Sequence, residues 1–184
     1  MENRSRRAWR RGAAALAATG VLALAAPALA ADPPLYGGAQ PVSAVAAHTR
    51  PAVIAPGTSG PVRFGIWNIG GFPPVTKDWQ MNLYAPRGTT FADAALTPLG
   101  DAPGPWHRCE LTEGDTALVC YSDDPRSIQE YTLQQWQVNI RVPRETPPGT
   151  VLEDGRARFF THAEPFSNSY FWTSPRMRLA VRTA

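Results

Sequence analysis

The sequence predicts an all-β protein, an antiparallel sandwich of about seven strands. Three observations carry this. Apolar and polar residues alternate with a period of two, the prolines beyond residue 30 fall almost entirely between the apolar runs, and none of those runs keeps a helical period. Runs of this length and spacing are those of a two-layer β fold.

Taken in order, residues 42–54 hold the first strand or two, after a Pro-, Gly- and Ala-rich leader over residues 31–41. Val62, Phe64 and Ile66 form one face of the next strand, ending at the Asn68-Ile69-Gly70-Gly71 turn signal. Trp79, Met81 and Leu83 alternate with Gln80, Asn82 and Tyr84. Ala117, Val119 and Tyr121 suit a short strand face. Trp136, Val138, Ile140 and Val142 point one way and Gln137, Asn139 and Arg141 the other, with Gln134-Gln135 marking a bulge or a strand start. Ala157 and Phe159 follow, then Met177, Leu179 and Val181 on the last strand. Trp79, Met81, Leu83, Val138, Ile140, Phe159 and Leu179 are the expected core.

Residues 1–30 read as an export label. Arg4, Arg6, Arg7, Arg10 and Arg11 make a basic n-region, an Ala- and Leu-rich run covers residues 13–26, and Ala28-Leu29-Ala30 offers small residues for cleavage after Ala30. Ser5-Arg6-Arg7-Ala8-Trp9-Arg10 loosely resembles a twin-arginine signal, but such Arg pairs are common and the general secretory route is favoured. The run is short for a membrane span, and no later stretch of the mature chain approaches that length.

Cleavage changes the charge balance. Five Arg and Glu2 leave with the label, so 18 basic and 15 acidic residues become 13 and 14. The pI near 9.2 therefore belongs to the label and gives no support for nucleic-acid binding. About 154 residues remain, enough for one core, so residues 42–184 are read as a single domain.

Cys109 and Cys120 are the only cysteines, and an even pair in an exported chain reads as a disulfide. The Glu113-Gly114-Asp115 turn midway between them would bring the two to facing positions on a hairpin. Redox pairs are usually spaced Cys-x-x-Cys, and a structural zinc site wants four ligands.

The spacing Gly60-x-Val62-x-Phe64-x-Ile66-x-Asn68-x-Gly70 resembles the opening of the immunoglobulin-like repeats of exported bacterial surface proteins. Pro86-Arg87-Gly88-Thr89-Thr90-Phe91 is similar to their Pro-x-Gly-x-x-Phe segment. Trp106-His107-Arg108-Cys109 with Cys120 is similar to the Trp-x-x-Cys…Cys hairpin of actinobacterial members, and Pro148-Gly149-Thr150 to the turn before their last strands. The resemblance covers about residues 58–160. It implies an Ig-like antiparallel β-sandwich at the cell surface or in the medium, acting as a non-enzymatic structural or interaction module. It implies a fold and a place but no chemistry, since fold alone assigns none. A single copy, with no sorting motif, C-terminal hydrophobic tail or lipid-attachment cysteine, departs from an anchored stalk.

The alternative is a carbohydrate-binding module. Sugar rings stack on aromatic faces, and Tyr170, Phe171 and Trp172 in one loop, with Trp106 near the disulfide, are the candidate platform. Against it, Trp67, Trp79 and Trp136 would pack the core and Trp106 would cover the disulfide. Arg176, Arg178 and Arg182 share a strand face with Ala180 and could hold acidic wall polymers, or serve as the charged protection of an edge strand. Polysaccharide, cell-wall polymer or another surface protein are thus the expected partners.

A secreted hydrolase is the weakest alternative. Gly-x-Ser-x-Gly and His-Glu-x-x-His are absent, His48, His107 and His162 are scattered, and a triad using His107 or His162 would have to be assembled by the fold. No catalytic residue and no cofactor is assigned. Calcium is a candidate at Asp123-Asp124 and Glu153-Asp154-Gly155, although neither has regular ligand spacing.

Overall fold

The computed structural model describes residues 40–70, 76–163 and 171–184, all within the second of the chain's two compact units, Tyr36–Ala184. The expected label over residues 1–30 and most of the leader lie outside the described residues.

Alternation in the sequence becomes thirteen strands among the described residues, and no helix. In chain order these are β1 (Gln40–Pro41), β2 (Ala44–Ala46), β3 (Ala52–Ile54), β4 (Ser59–Asn68), β5 (Thr76–Tyr84), β6 (Thr90–Phe91) and β7 (Thr97–Leu99). There follow β8 (Arg108–Thr112), β9 (Ala117–Ser122), β10 (Leu133–Arg141), β11 (Val151–Ala163), β12 (Phe171–Thr173) and β13 (Met177–Thr183). Only β4, β5, β8, β9, β10, β11 and β13 have five residues or more, so the expectation of about seven strands describes the frame. The rest are two- and three-residue pairings along its edges.

Two sheets stack as an Ig-like sandwich. The larger runs β1-β12-β11-β5-β9-β8, with β13 also on β11 and β3 beyond β13. The smaller runs β2-β4-β10-β6, with β7 on the same edge of β10 as β6. The long pairings are antiparallel, but β1 runs parallel to β12 and β3 parallel to β13. Gln40 and Pro41, within the expected leader, are therefore strand-paired. β13 lies between β11 and β3, so it is not the edge strand its charges suggested.

Every expected core residue is buried. Trp79, Met81 and Leu83 of β5 meet Trp136, Val138 and Ile140 of β10, with Phe159 and Leu179 beside them. The Trp136 ring packs against Phe64 at 6.2 Å and Phe159 at 6.0 Å, and Trp79 meets Phe159 edge-on at 5.2 Å. β9 corrects the sequence reading. Leu118, Cys120 and Ser122 are buried, while Val119 is half-buried and Tyr121 exposed, so the inward phase lies on even residues. β10 opens at Leu133 and keeps unbroken register with β4 from Leu133↔Trp67 to Arg141↔Ser59, which makes Gln134-Gln135 a strand start without a bulge.

Cys109 and Cys120 are directly opposed on β8 and β9 and form a disulfide. Glu113, Gly114 and Asp115 all adopt positive φ in the turn between them. Closing so short a loop restricts the unfolded chain and contributes roughly 3 kcal/mol. Replacing both cysteines by Ala should lower unfolding free energy by about that amount in urea melts, with the β-rich circular dichroism retained.

β4 and β10 approach so closely that one position admits no side chain. A Cβ on Gly65 would stand 2.2 Å from the Gln134 carbonyl oxygen. Gly65→Ala should cost about 2–3 kcal/mol in the same melts, more than replacement at a tolerant surface strand position.

Candidate functional site

Indole N–H groups buried in a core must find acceptors. Trp79 Nε1 donates to the Asp124 carbonyl at 2.9 Å, and Trp106 and Trp136 both donate to the Pro103 carbonyl, at 2.9 and 3.1 Å. These bonds fasten the β7–β8 and β9–β10 loops to one end of the core.

Asp124 then joins the two loops. Its carboxylate accepts from the Gly104 amide at 2.8 Å, the Arg126 amide at 3.0 Å and the Arg126 guanidinium at 2.6 Å, and Arg126 also donates to the Gly104 carbonyl. Burial pushes the Asp124 carboxyl up. The hydrogen bonds from Arg126 and the two amides outweigh that and hold it below the usual carboxylate range. The same pairing raises Arg126.

Asn68, fully buried at the end of β4, organises the rest of the β9–β10 loop. Its side-chain N–H groups donate to the carbonyls of Ile128 and Gln129 at 3.1 and 2.9 Å, and its Oδ1 accepts from the Gly70 amide. Its own amide bonds the Thr132 carbonyl, and its carbonyl takes the Tyr131 amide. Tyr131 is thereby fixed at φ 57°, a region bulky side chains rarely enter, with 74% of its surface exposed.

Next to Asn68 stands Trp67, 46% exposed on the outer face of the smaller sheet. Val45 and Leu133, both exposed, pair with Trp67 from either side. Trp67, Tyr131 and Leu133 border an open groove of about 760 Å³, which Gln129, Thr132, Gln134 and Gln135 also line. That volume is within the usual range of ligand sites.

On the larger sheet a smaller cleft of about 230 Å³ is lined by Asp78, Gln80, His107, Arg108, Tyr121, Ser122, Asp123 and Phe160, among others. His107 Nε2 lies 2.6 Å from Asp123 Oδ1 in an exposed pair, and the hydrogen bond from His107 holds the Asp123 carboxyl low. Arg108 stacks over Tyr121. Ser122, the serine lining this cleft, accepts from the Asp124 amide at 3.2 Å. The fold thus gives His107 an acid partner.

The residues nominated from sequence fare unevenly. Trp106 is buried in the core, so its ring cannot serve as a stacking platform. Trp172 sits in β12 opposite Thr161 and packs half-buried against the core, which corrects its placement in an exposed loop. Tyr170 lies outside the described residues, as do the side chains of Phe171 and His162. Arg178 and Arg182 are exposed on one face of β13 with Arg176 exposed just before it, and Arg178 pairs with Glu153. Asp154 pairs with Arg87 at 3.1 Å, so both acids of the Glu153-Asp154 segment have arginine partners. Among the described residues no three His, Cys, Asp or Glu side chains cluster as metal ligands.

Trp67, expected to pack the core, is instead exposed on the outer face of the smaller sheet, and Tyr131 was not nominated. The signal for Trp67 was present: Val62, Phe64 and Ile66 face inward, so a period of two turns Trp67 out. No local signal marks Tyr131, whose conformation comes from contacts with Asn68, distant in sequence.

No family model and no curated protein matches this sequence. Among solved structures, the cohesin module from a Clostridium perfringens family 33 glycoside hydrolase is similar, with TM-score 0.48, 13% identity, and coverage of 77% of this chain and 95% of that one. AvmM, which catalyses macrocyclisation in alchivemycin A biosynthesis, is similar with TM-score 0.45 and 13% identity, over 81% of this chain and 93% of that one. A 35 kDa C-terminal fragment of the major pilin of Streptococcus agalactiae gives 0.44 and 9%, over 71% of this chain and 51% of the fragment. These likenesses extend to fold alone.

The Asp124 clamp makes a test in acid. A carboxyl held low in the folded state contributes stability above its unfolded value near 3.9, and that contribution is lost as pH falls through the folded value. Asp124→Asn should therefore be about 2 kcal/mol less stable than wild type above about pH 5, and the gap should close toward about pH 2. Urea melts across this range check it.

Proposed function

We propose that the chain is an exported, non-enzymatic interaction module of the bacterial cell envelope or medium, engaging its partner through the outer face of the smaller sheet. The observation that carries this reading is the exposed row Val45–Trp67–Leu133 across β2, β4 and β10, continued by Ile69 and Tyr131. Large apolar groups gathered on an open face mark a contact surface, whereas single exposed ones do not.

Support for export comes from the basic n-region, the apolar run and the Ala-Leu-Ala site. The Cys109–Cys120 disulfide fits an oxidising compartment. The resemblance to bacterial Ig-like repeats points the same way.

Co-sedimentation with isolated envelope material tests the reading. Wild type should pellet with it, and Trp67→Ser/Leu133→Ser, with an unchanged melting temperature, should stay largely in the supernatant. Equal pelleting of the two would discard this face as the contact surface.

A further inference from the structure

The groove beside that face has a chemistry of its own. Its two rings, Trp67 and Tyr131, stand at the same end of β4, since a Cβ on Gly70 would come within 3.9 Å of the Tyr131 hydroxyl. Gln129, Thr132, Gln134 and Gln135 line the same space with amides and a hydroxyl.

Gln134 is 3% exposed, and its amide orientation is set by a relay. Thr132 Oγ1 donates to the Gln129 carbonyl at 2.6 Å, so it must accept from Gln134 Nε2 at 2.8 Å. Gln134 Oε1 is left as a buried acceptor without a protein donor among the described residues.

Charge narrows the occupant. Arg126, the basic residue lining the groove, is bound to Asp124 and lies in the field of Asp101, so no free cation is offered to an acidic polymer. A protein partner would favour an apolar centre with a polar rim. Here the two rings, with Leu99 and Leu133, border amides, hydroxyls and the Asp101 carboxylate, which itself disfavours an acidic polymer. Exposed aromatic rings beside amides and hydroxyls match the apolar C–H faces and hydroxyls of a sugar chain.

We propose that the Trp67–Tyr131 groove binds a neutral polysaccharide, with sugar rings stacked on the two aromatics and hydroxyls hydrogen-bonded to the lining amides of Gln129 and Gln135. This rests on the reading of the same face as the contact surface and names its ligand class. Tyr131 is set in its costly backbone conformation by Asn68, and strain held this way is characteristic of ligand clamps.

The test is titration of the folded full-length protein, by tryptophan fluorescence and calorimetry, with soluble neutral glucans, xylan, mannan and chito-oligosaccharides. Polygalacturonate serves as the acidic control. At least one neutral glycan should saturate, with little dependence on salt. Trp67→Ala and Tyr131→Ala should each weaken it about tenfold. Tyr131→Gly should weaken it equally while its melting temperature stays level or rises, because Gly accepts positive φ, an outcome a purely structural tyrosine would not give. A silent neutral panel, or glycan binding that survives both aromatic replacements, overturns the proposal. Envelope binding that is lost in Trp67→Ser/Leu133→Ser and abolished by protease treatment of the envelope assigns a protein partner instead, which leaves the contact face standing. Envelope binding indifferent to those substitutions removes the face itself.

Discussion

Burying a tryptophan buries an N–H donor, and three such donors govern one end of this sandwich. Had Trp79, Trp106 and Trp136 been phenylalanines, the core would still close, but the three bonds that fasten the loops to it would be lost. Because their partners are the carbonyls of Pro103 and Asp124, interior packing and loop position are one constraint. Asp124 extends it outward by fixing Gly104 and Arg126. A Cβ on Gly104 would fall 2.6 Å from Pro98, so this loop is packed tightly against β7.

The groove inherits that rigidity. Asn68 satisfies loop carbonyls that would otherwise be stranded against the core, and in doing so it fixes the direction of Tyr131. Trp67 stands on a long strand bonded on both sides. Aromatic rings held before a ligand arrives lose little freedom on binding, so more of the contact energy appears as affinity.

How far the sequence revealed this depends on range. Period-two patterns are local, and they placed the β5, β10, β11 and β13 core residues correctly. They misjudged β9, where Ala117, Val119 and Tyr121 look like one face but Cys120 must meet Cys109 on the inward side. The short pairings escaped notice because two or three residues carry no period, and a parallel partner leaves no turn signal. Trp172 was misplaced for a related reason. Its inward orientation follows from pairing with Thr161, which the intervening chain does not announce. The candidate site was harder still: Trp67 was read as core although its phase turns it outward, and Tyr131 owes its position to hydrogen bonds with Asn68, distant in sequence.

The two parallel pairings have a consequence for how the molecule comes into being. β1 and β3, near the front of the described body, complete their sheet only against β12 and β13, at its close. Loop closure across nearly the whole body must precede those contacts, which delays their reward and makes for slow, late consolidation. A polypeptide emerging amino end first would carry β1 unmated until residue 173, and β3 until residue 183, had left the ribosome.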